Sequence, residues 1–159
     1  MKNALKTSTF YMQAIRFAAM TVQQFYLVAK LRQDVFIVEQ QSIYTDLDGL
    51  DQEAMHYLCW SSQQTDAELI GYARYRQLPS SLDFKIERVV FCQAWRGKGI
   101  GTLIMRTMLQ DINGQCEQAQ IKLSAQIEAQ SFYQNLGFFA QGDSYDDGGI
   151  EHITMSYGR

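Results

Sequence analysis

Apolar residues recur every three or four positions in two parts of the chain, a spacing that places them on one face of a helix. The first helix is predicted to begin after Thr21, because Thr21 and Gln24 fit a capping box, and to run toward Phe36. Its apolar face is formed by Val22, Phe25, Tyr26 and Ala29. The second helix is predicted to span residues 100–112 and to end at Asn113-Gly114. Its apolar face is formed by Ile100, Leu103, Ile104, Met108 and Ile112.

Runs rich in β-branched and aromatic residues, bounded by turn-forming residues, predict strands. The predicted strands are residues 10–17, 55–60, 69–76, 84–91, 121–125 and 150–155. A short helix over residues 129–136 is expected to end at Gly137, and residues 146–149 predict a tight turn before the last strand. The order strand, glycine-rich loop, helix, strand between residues 84 and 125 predicts a right-handed parallel crossover. The expected fold class is therefore α/β, a mixed α+β sheet with helices on both faces.

The composition is that of a globular domain rather than a disordered or fibrous chain. The chain has 159 residues, of which 47% are hydrophobic and 19% charged, so we expect a single domain over residues 1–159, with a loose start over residues 1–9. A net charge of −3 provides no basic surface, so we expect no nucleic acid and no membrane as partner. Apolar runs are too short for a membrane span, and the first residues lack the apolar core of a signal peptide. We therefore expect a cytoplasmic protein.

Cysteine usage indicates no metal site and no disulfide framework. The three cysteines are widely spaced and form no paired motif, which is typical of reduced thiols. They are Cys59, Cys92 and Cys116. The sequence leaves the oligomeric state open, a homodimer included.

The candidate chemistry lies where the predicted strand 84–91 passes into the predicted helix at Ile100. The connecting loop contains Gly97, Gly99 and Gly101, which allow a tight turn and a close approach of a ligand to the backbone amides. Free N–H groups at a helix start bind anions such as a pyrophosphate, and Arg96 and Lys98 add positive charge nearby.

Four interpretations of this loop compete. A Walker loop needs Ser or Thr after the Gly-Lys pair, but Gly99 follows Lys98. A dinucleotide fingerprint needs a third glycine where Thr102 stands. The pattern Arg/Gln-x-x-Gly-x-Gly/Ala of acetyltransferases is satisfied by Arg96, Gly99 and Gly101. A glycine-rich turn that only caps a helix is the remaining alternative.

The downstream sequence favours the third interpretation. A second strand and a short helix follow, with the segment Phe132-Tyr133-Gln134-Asn135-Leu136-Gly137-Phe138. This arrangement resembles the GCN5-related N-acetyltransferase (GNAT) superfamily. A narrower resemblance, to its ElaA-like branch, covers almost the whole chain and rests on residues 31–40, 44–51, 88–90, 124–126 and 149–155 and on His56. The chain departs from that branch at Ser42-Ile43, Glu87 and Glu151, where Cys-Pro, Gly and Pro are often found.

The resemblance implies a GNAT acyl-CoA N-acyltransferase fold that uses acetyl-CoA. The implied cofactor-binding residues are Val89, Val90, Phe91, Arg96, Gly97, Lys98, Gly99, Ile100, Gly101, Thr102 and Gln126. In this family the strand before the loop parts from its parallel neighbour, and the pantetheine arm lies in the gap. The resemblance also implies that Tyr133 is the catalytic acid that protonates the departing thiolate.

The general base and the acceptor remain open. Ile121 stands where some relatives carry a Glu that acts as the general base. The remaining candidates for the base are Glu39, Glu87, His56 and His152, or a chain of water molecules. Six residues are predicted to include those that line an acceptor pocket, and the alternative is a structural ion-pair network or side chains solvated on the sheet surface. They are Arg32, Glu39, His56, Arg74, Arg88 and His152. The function expected is acetylation of an amine of a small molecule or peptide. The alternative is a non-catalytic acyl-CoA-binding sensor or interaction module.

Overall fold

The computed structural model describes residues 10–158, so the predicted loose start at residues 1–9 lies outside the described residues. Seven strands form one sheet: β1 (Tyr11–Arg16), β2 (Met55–Trp60), β3 (Leu69–Gln77), β4 (Phe84–Phe91), β5 (Ile121–Gln126), β6 (Phe138–Asp147) and β7 (Ile150–Tyr157). The helices are α1 (Val22–Arg32), α2 (Ile100–Gln115) and α3 (Gln130–Asn135). A π-helical segment, Gln33–Glu39, continues α1.

The strand order is β1-β2-β3-β4-β5-β7-β6, and β4 and β5 form the parallel pair. All other neighbours are antiparallel. This arrangement confirms the predicted mixed sheet and the predicted parallel crossover through α2. Among residues 10–158, no helix combines the length and the apolar character that crossing a membrane requires.

Helices cover both faces of the sheet because successive strand residues point to opposite sides. On one face, Val28 and Leu31 of α1 pack in a buried cluster with Leu58 and Tyr72. The apolar face predicted for this helix was wrong, since Val22 is 88% and Tyr26 is 61% exposed. On the other face, α2 and α3 pack against Tyr57 and the residues that alternate with it. The predicted capping box is also confirmed, since the Thr21 side chain accepts from the Gln24 backbone and the Gln24 side chain accepts from the Thr21 backbone.

Two details of α2 were predicted wrongly. The helix does not end at Asn113-Gly114 but continues to Gln115. Leu103 is 42% exposed, and the buried face instead includes Met105 and Leu109. The apolar face is therefore rotated relative to the predicted one, because the stretch contains more apolar residues than one face can hold.

Strand β6 was missed by the sequence analysis. Its ten residues are nearly all exposed, and only Phe138 is buried. Exposed strands at a sheet edge carry no apolar alternation, so the pattern that predicts half-buried strands is absent here. Strand β6 pairs with β7 to form a hairpin, and its far end reaches the cleft described next.

Candidate active site between the diverging strands

The sheet opens into a cleft where β4 and β5 part. The parallel pairing consists of Phe84 with Ile121, Lys85 with Lys122, and Ile86 with Leu123, and the two strands diverge beyond it. The cleft has a volume of about 260 Å³. Its walls come from β4, β5, α3, the segment after α1 and the β6–β7 hairpin. Among the described residues β4 has no strand partner on this side beyond Ile86, so its backbone groups there can bind a ligand, except that the Phe91 carbonyl already accepts from Arg96.

A bulge in β4 accompanies the divergence. Tyr72 pairs with Val90 and Arg74 with Glu87, so β4 contains one residue more than β3 at this point. Arg88 lies in the bulge with φ of 57°, a left-handed conformation that is uncommon for a residue with a side chain. Bulges bend a strand and re-aim its side chains. Here the bulge coincides with the place where β4 leaves β5.

The glycine loop lies at the mouth of the cleft and starts α2. Gly99 is the N-cap of α2 with φ of 82°, and no side chain caps the helix. The first amides of a helix have no partner within it, so those of Ile100 to Thr102 remain available to an anion. Gly101 has a different role, because a Cβ there would lie 3.1 Å from the ring of Phe132. The absence of a side chain lets α2 approach α3 closely.

Tyr133 lines the cleft from α3. Its ring packs edge-on against Phe132 and Phe138, at centroid distances of 5.0 and 6.0 Å. Among the described residues no protein group hydrogen-bonds its hydroxyl, and that oxygen is not among the fully buried unpaired polar atoms. The hydroxyl therefore opens onto the cleft. Burial raises the pKa of Tyr133, so the hydroxyl keeps its proton at neutral pH.

Five of the other residues that the resemblance assigns to the cofactor line the same cleft, whereas residues 97–102 are outside its wall. Val89, Val90 and Phe91 form part of its β4 wall, and Arg96 and Gln126 also line it. The Arg96 guanidinium donates to the Phe91 carbonyl and makes a bidentate ion pair with Glu39, at 2.6 and 3.0 Å. The Lys98 ammonium lies 4.7 Å from the centre of the Trp95 ring.

Three of the six predicted acceptor residues are buried away from the cleft, and the prediction is corrected for them. Arg32, His56 and Arg74 have no exposed surface. Arg32 and Arg74 share Asp51 as a partner, with N–O distances of 2.8 and 2.6 Å. The His56 ring contacts the Tyr72 hydroxyl and the Asp51 carbonyl. These residues form a buried network, as expected for charges that must be paired when removed from water.

Of the other three, Arg88 and His152 do line the cleft, whereas Glu39 also lies outside its wall, so the cleft wall contains only two of the six predicted residues. Arg88 donates to the Asp46 carbonyl and to Asp48, and its guanidinium carbon lies 5.2 Å from the centre of the Tyr44 ring. Its Nε atom lies 3.0 Å from Asp46 Oδ1 but without hydrogen-bond geometry. His152 Nδ1 lies 2.7 Å from the Ile150 carbonyl.

Sequence reasoning missed several residues of the wall. They are Val35, Phe36, Gln40, Ser42, Tyr44, Lys85, Ser124, Ala129 and Asp147, among others. Gln40 and Tyr44 fall in segments that carried the family resemblance, and this was the available signal for them. Asp147 ends β6, the strand that the pattern did not reveal.

The fold places the protein among the acyl-CoA N-acyltransferases. A crystal structure described as an acyl-CoA N-acyltransferase from Pseudomonas aeruginosa matches with a TM-score of 0.84 and 31% identity, over 94% of this chain and 100% of that one. The sequence then gives the family. A model described as an acetyltransferase (GNAT) domain matches residues 18–158, and the chain belongs to this family.

Within the family the chain is similar to ElaA of Escherichia coli, as the resemblance indicated. It is 33% identical to that protein over 147 residues, which cover 91% of this chain and 94% of ElaA. The crystal structure of E. coli ElaA matches with a TM-score of 0.85 over 94% of this chain and 100% of that one. A protein of Synechocystis is 35% identical over 144 residues, covering 89% of this chain and 91% of that protein.

Proposed function

We propose that the protein transfers an acetyl group from acetyl-CoA to an amine of a small molecule or peptide. The observation that carries the proposal is the Tyr133 hydroxyl, which opens onto the cleft where β4 and β5 part. A thioester in that gap would lie between the unpaired backbone of β4 and a proton donor. The amides at the start of α2 are available to the pyrophosphate of the coenzyme.

The reaction requires two proton movements. The amine nitrogen attacks the thioester carbonyl, a backbone N–H near Val90 stabilises the oxyanion, and the carbon–sulfur bond breaks. Tyr133 gives its proton to the departing thiolate and recovers one from solvent. The nitrogen that gains the acyl group must lose a proton, so a base near the acceptor completes the reaction.

His152 is the base that the contacts favour. A carbonyl oxygen can only accept, so Nδ1 of His152 donates to Ile150, and in the neutral ring Nε2 is left to accept a proton. Glu87 also lines the cleft, but it is held by Arg74 and Arg76. Burial opposes ionisation of Glu87, yet these arginines lower its pKa, which makes it a poor proton acceptor. His56 and Glu39 are outside the cleft wall.

The missing Glu at Ile121 does not weigh against catalysis. Ile121 is 1% exposed and pairs with Phe84, at the closed end of the β4–β5 ladder. A carboxylate at this position would lie in the core rather than in the cleft wall. The absence of Glu at this position therefore does not favour the non-catalytic alternative.

The test measures release of the coenzyme A thiol from acetyl-CoA with a panel of primary amines that includes amino acids, polyamines and peptides. We expect at least one amine to accelerate thiol release, with the acetylated amine detected by mass spectrometry. Calorimetry with coenzyme A is run in parallel. Binding of coenzyme A without amine-dependent thiol release would support the sensor or interaction module instead.

A further inference from the structure

Four consecutive residues, 39–42, cross the mouth of the cleft and are tied down at three points. Glu39 pairs with Arg96 in the glycine loop. Gln40 exchanges two side-chain hydrogen bonds with Gln126 at the end of β5, at 2.9 and 3.3 Å. The Ser42 hydroxyl donates to the Gly148 carbonyl in the β6–β7 turn, at 2.6 Å. We call residues 39–42 the latch.

Two of these ties use side chains that the family resemblance assigns to the coenzyme. Arg96 is one of the two cations beside the glycines of the loop, and its charge is balanced by the Glu39 carboxylate. The same guanidinium donates to the Phe91 carbonyl, one of the β4 groups assigned to the pantetheine arm. The Gln126 amide is engaged on both its N–H and its oxygen by Gln40. Coenzyme A and the latch would therefore both bind the Arg96 guanidinium and the Gln126 amide.

Three features of the latch make its contacts easy to exchange for contacts with a ligand. The Glu39–Arg96 pair is about 40% exposed on both sides, and exposed ion pairs are weak. Gln41, between the tied residues, has φ of 53°, a strained conformation for a residue with a side chain. The latch also begins at Glu39, the last residue of a π-helical segment, a rare form of helix that often accompanies functional sites.

We propose that the latch competes with coenzyme A for Arg96 and Gln126, so that binding of the coenzyme releases residues 39–41 from the cleft mouth. This inference rests on the proposed function. A pyrophosphate beside Arg96 takes over the role of the Glu39 carboxylate and repels it, because both are anions. Gln126 is then free to turn toward the pantetheine arm. The Ser42–Gly148 contact is outside the contested site and remains as the pivot.

Substitution of Glu39 tests the competition directly. Glu39→Gln keeps the size of the side chain but removes the charge that holds Arg96 and repels a pyrophosphate. We expect calorimetry to show coenzyme A binding about two- to fivefold tighter, the size of an exposed ion pair. Gln40→Ala is expected to tighten binding as well.

Glu117→Gln is the matched control, since it makes the same charge change at an exposed residue just beyond the far end of α2. Its affinity for coenzyme A should equal that of the unaltered protein. Equal or weaker binding by Glu39→Gln would overturn the latch, because Glu39 would then be neutral or helpful to the coenzyme. No binding by the unaltered protein would instead overturn the proposed function.

Hydrogen exchange tests the movement separately. The Gln40 amide donates to the Val35 carbonyl and the Ser42 amide to the Phe36 carbonyl. When coenzyme A binds, we expect exchange at residues 39–41 to become faster while exchange at residues 99–102 becomes slower. Slower exchange in both segments would show that residues 39–42 are a fixed wall of the site, and the latch would be rejected.

Discussion

Tyr133 combines the two properties that a proton donor needs, a retained proton and an accessible oxygen. Its ring is fixed by Phe132 and Phe138, while its hydroxyl binds no other group among the described residues. Removal of the oxygen should therefore leave the fold intact. This separation of packing from chemistry makes the residue easy to test.

We expect Tyr133→Phe to lower kcat by about 10²- to 10⁴-fold, the usual contribution of positioned proton transfer. The Kd for coenzyme A and the free energy of unfolding should stay at their original values. Tyr157→Phe is the matched control, because its ring also packs on Phe138 but lies outside the cleft. Equal kcat for the two variants, measured where chemistry limits turnover, would assign Tyr133 to packing.

His152→Gln tests the other proton movement. The amide of glutamine can hydrogen-bond in the cleft but cannot accept a proton from the amine. We expect kcat to fall while coenzyme A affinity remains unchanged, and added imidazole to restore part of the rate. If the His152→Gln protein kept its full kcat with the same amine, His152 would not be the base, and water would be left to deprotonate the amine.

Individual residues also show where sequence reasoning stops. The glycine loop, Tyr133 and Gln126 could be assigned because they carry the resemblance to the family or occupy positions that it implies. Arg74 and Arg88 look alike in the sequence, yet one is buried with Asp51 and the other lines the cleft. Arg74 is buried because it pairs with Asp51, which lies in a loop more than twenty residues earlier in the chain. This ion pair could not be predicted from the residues that neighbour Arg74 in the sequence.

At the scale of elements, α2 shows why helix ends are hard to predict. Gly114 lies inside the helix, its φ is not positive, and a Cβ there would meet nothing within 4 Å. Glycine is common at helix ends but is not confined to them. The three helices were nevertheless predicted where they occur, and five of the seven strands were predicted close to their observed bounds. The exposed β6 strand left no periodic pattern, and the last strand, β7, extends beyond its prediction to Tyr157.

Gly114→Ala should raise the free energy of unfolding by about 0.5–1 kcal/mol, because alanine loses less backbone entropy in a helix. Urea unfolding followed by circular dichroism measures the change. Gly137→Ala is the contrasting variant, with φ of 98° and a Cβ that would lie 3.1 Å from Tyr157, and it should destabilise the protein. If Gly114→Ala instead destabilised the protein, the result would support the predicted helix end at Asn113-Gly114.

At the scale of the whole molecule, a buried network of charges joins the loop before β2 to the centre of the sheet. Arg32, Arg74 and Arg88 contact Asp46, Asp48, Asp51 and Glu87. Burial alone would raise the pKa of Asp48, but hydrogen bonds from Arg74 and Leu50 bring it down to about 2. The pKa values of Asp51 and Glu87 are also lowered by their arginine partners, against the opposing effect of burial.

Stability should therefore fall on acidification. A carboxyl group with a lowered pKa in the fold stabilises the protein above its unfolded pKa, and this contribution is lost as pH falls through the folded value. Burial lowers the pKa of His56, so protonation of the unfolded chain near pH 6.5 begins the decline. We expect urea midpoints to drop from pH 7 downward and most steeply between about pH 4 and 2. In the Asp48→Asn protein the urea midpoint should depend less on pH between about pH 4 and 2. A urea midpoint that stays constant with pH in the unaltered protein would contradict a stabilising role of the network.

The three residue pairs that join β4 to β5 have a consequence for how ligands can be found. A coenzyme lying in the gap would bridge two halves of the sheet that share little backbone pairing, and a ligand that binds the folded state alone raises the melting temperature. At a hundredfold excess over Kd the gain is about 2.7 kcal/mol, which corresponds to roughly 5–10 °C for a domain of this size. Heating the protein with a set of acyl-CoA thioesters would thus rank the donors before any acceptor is known.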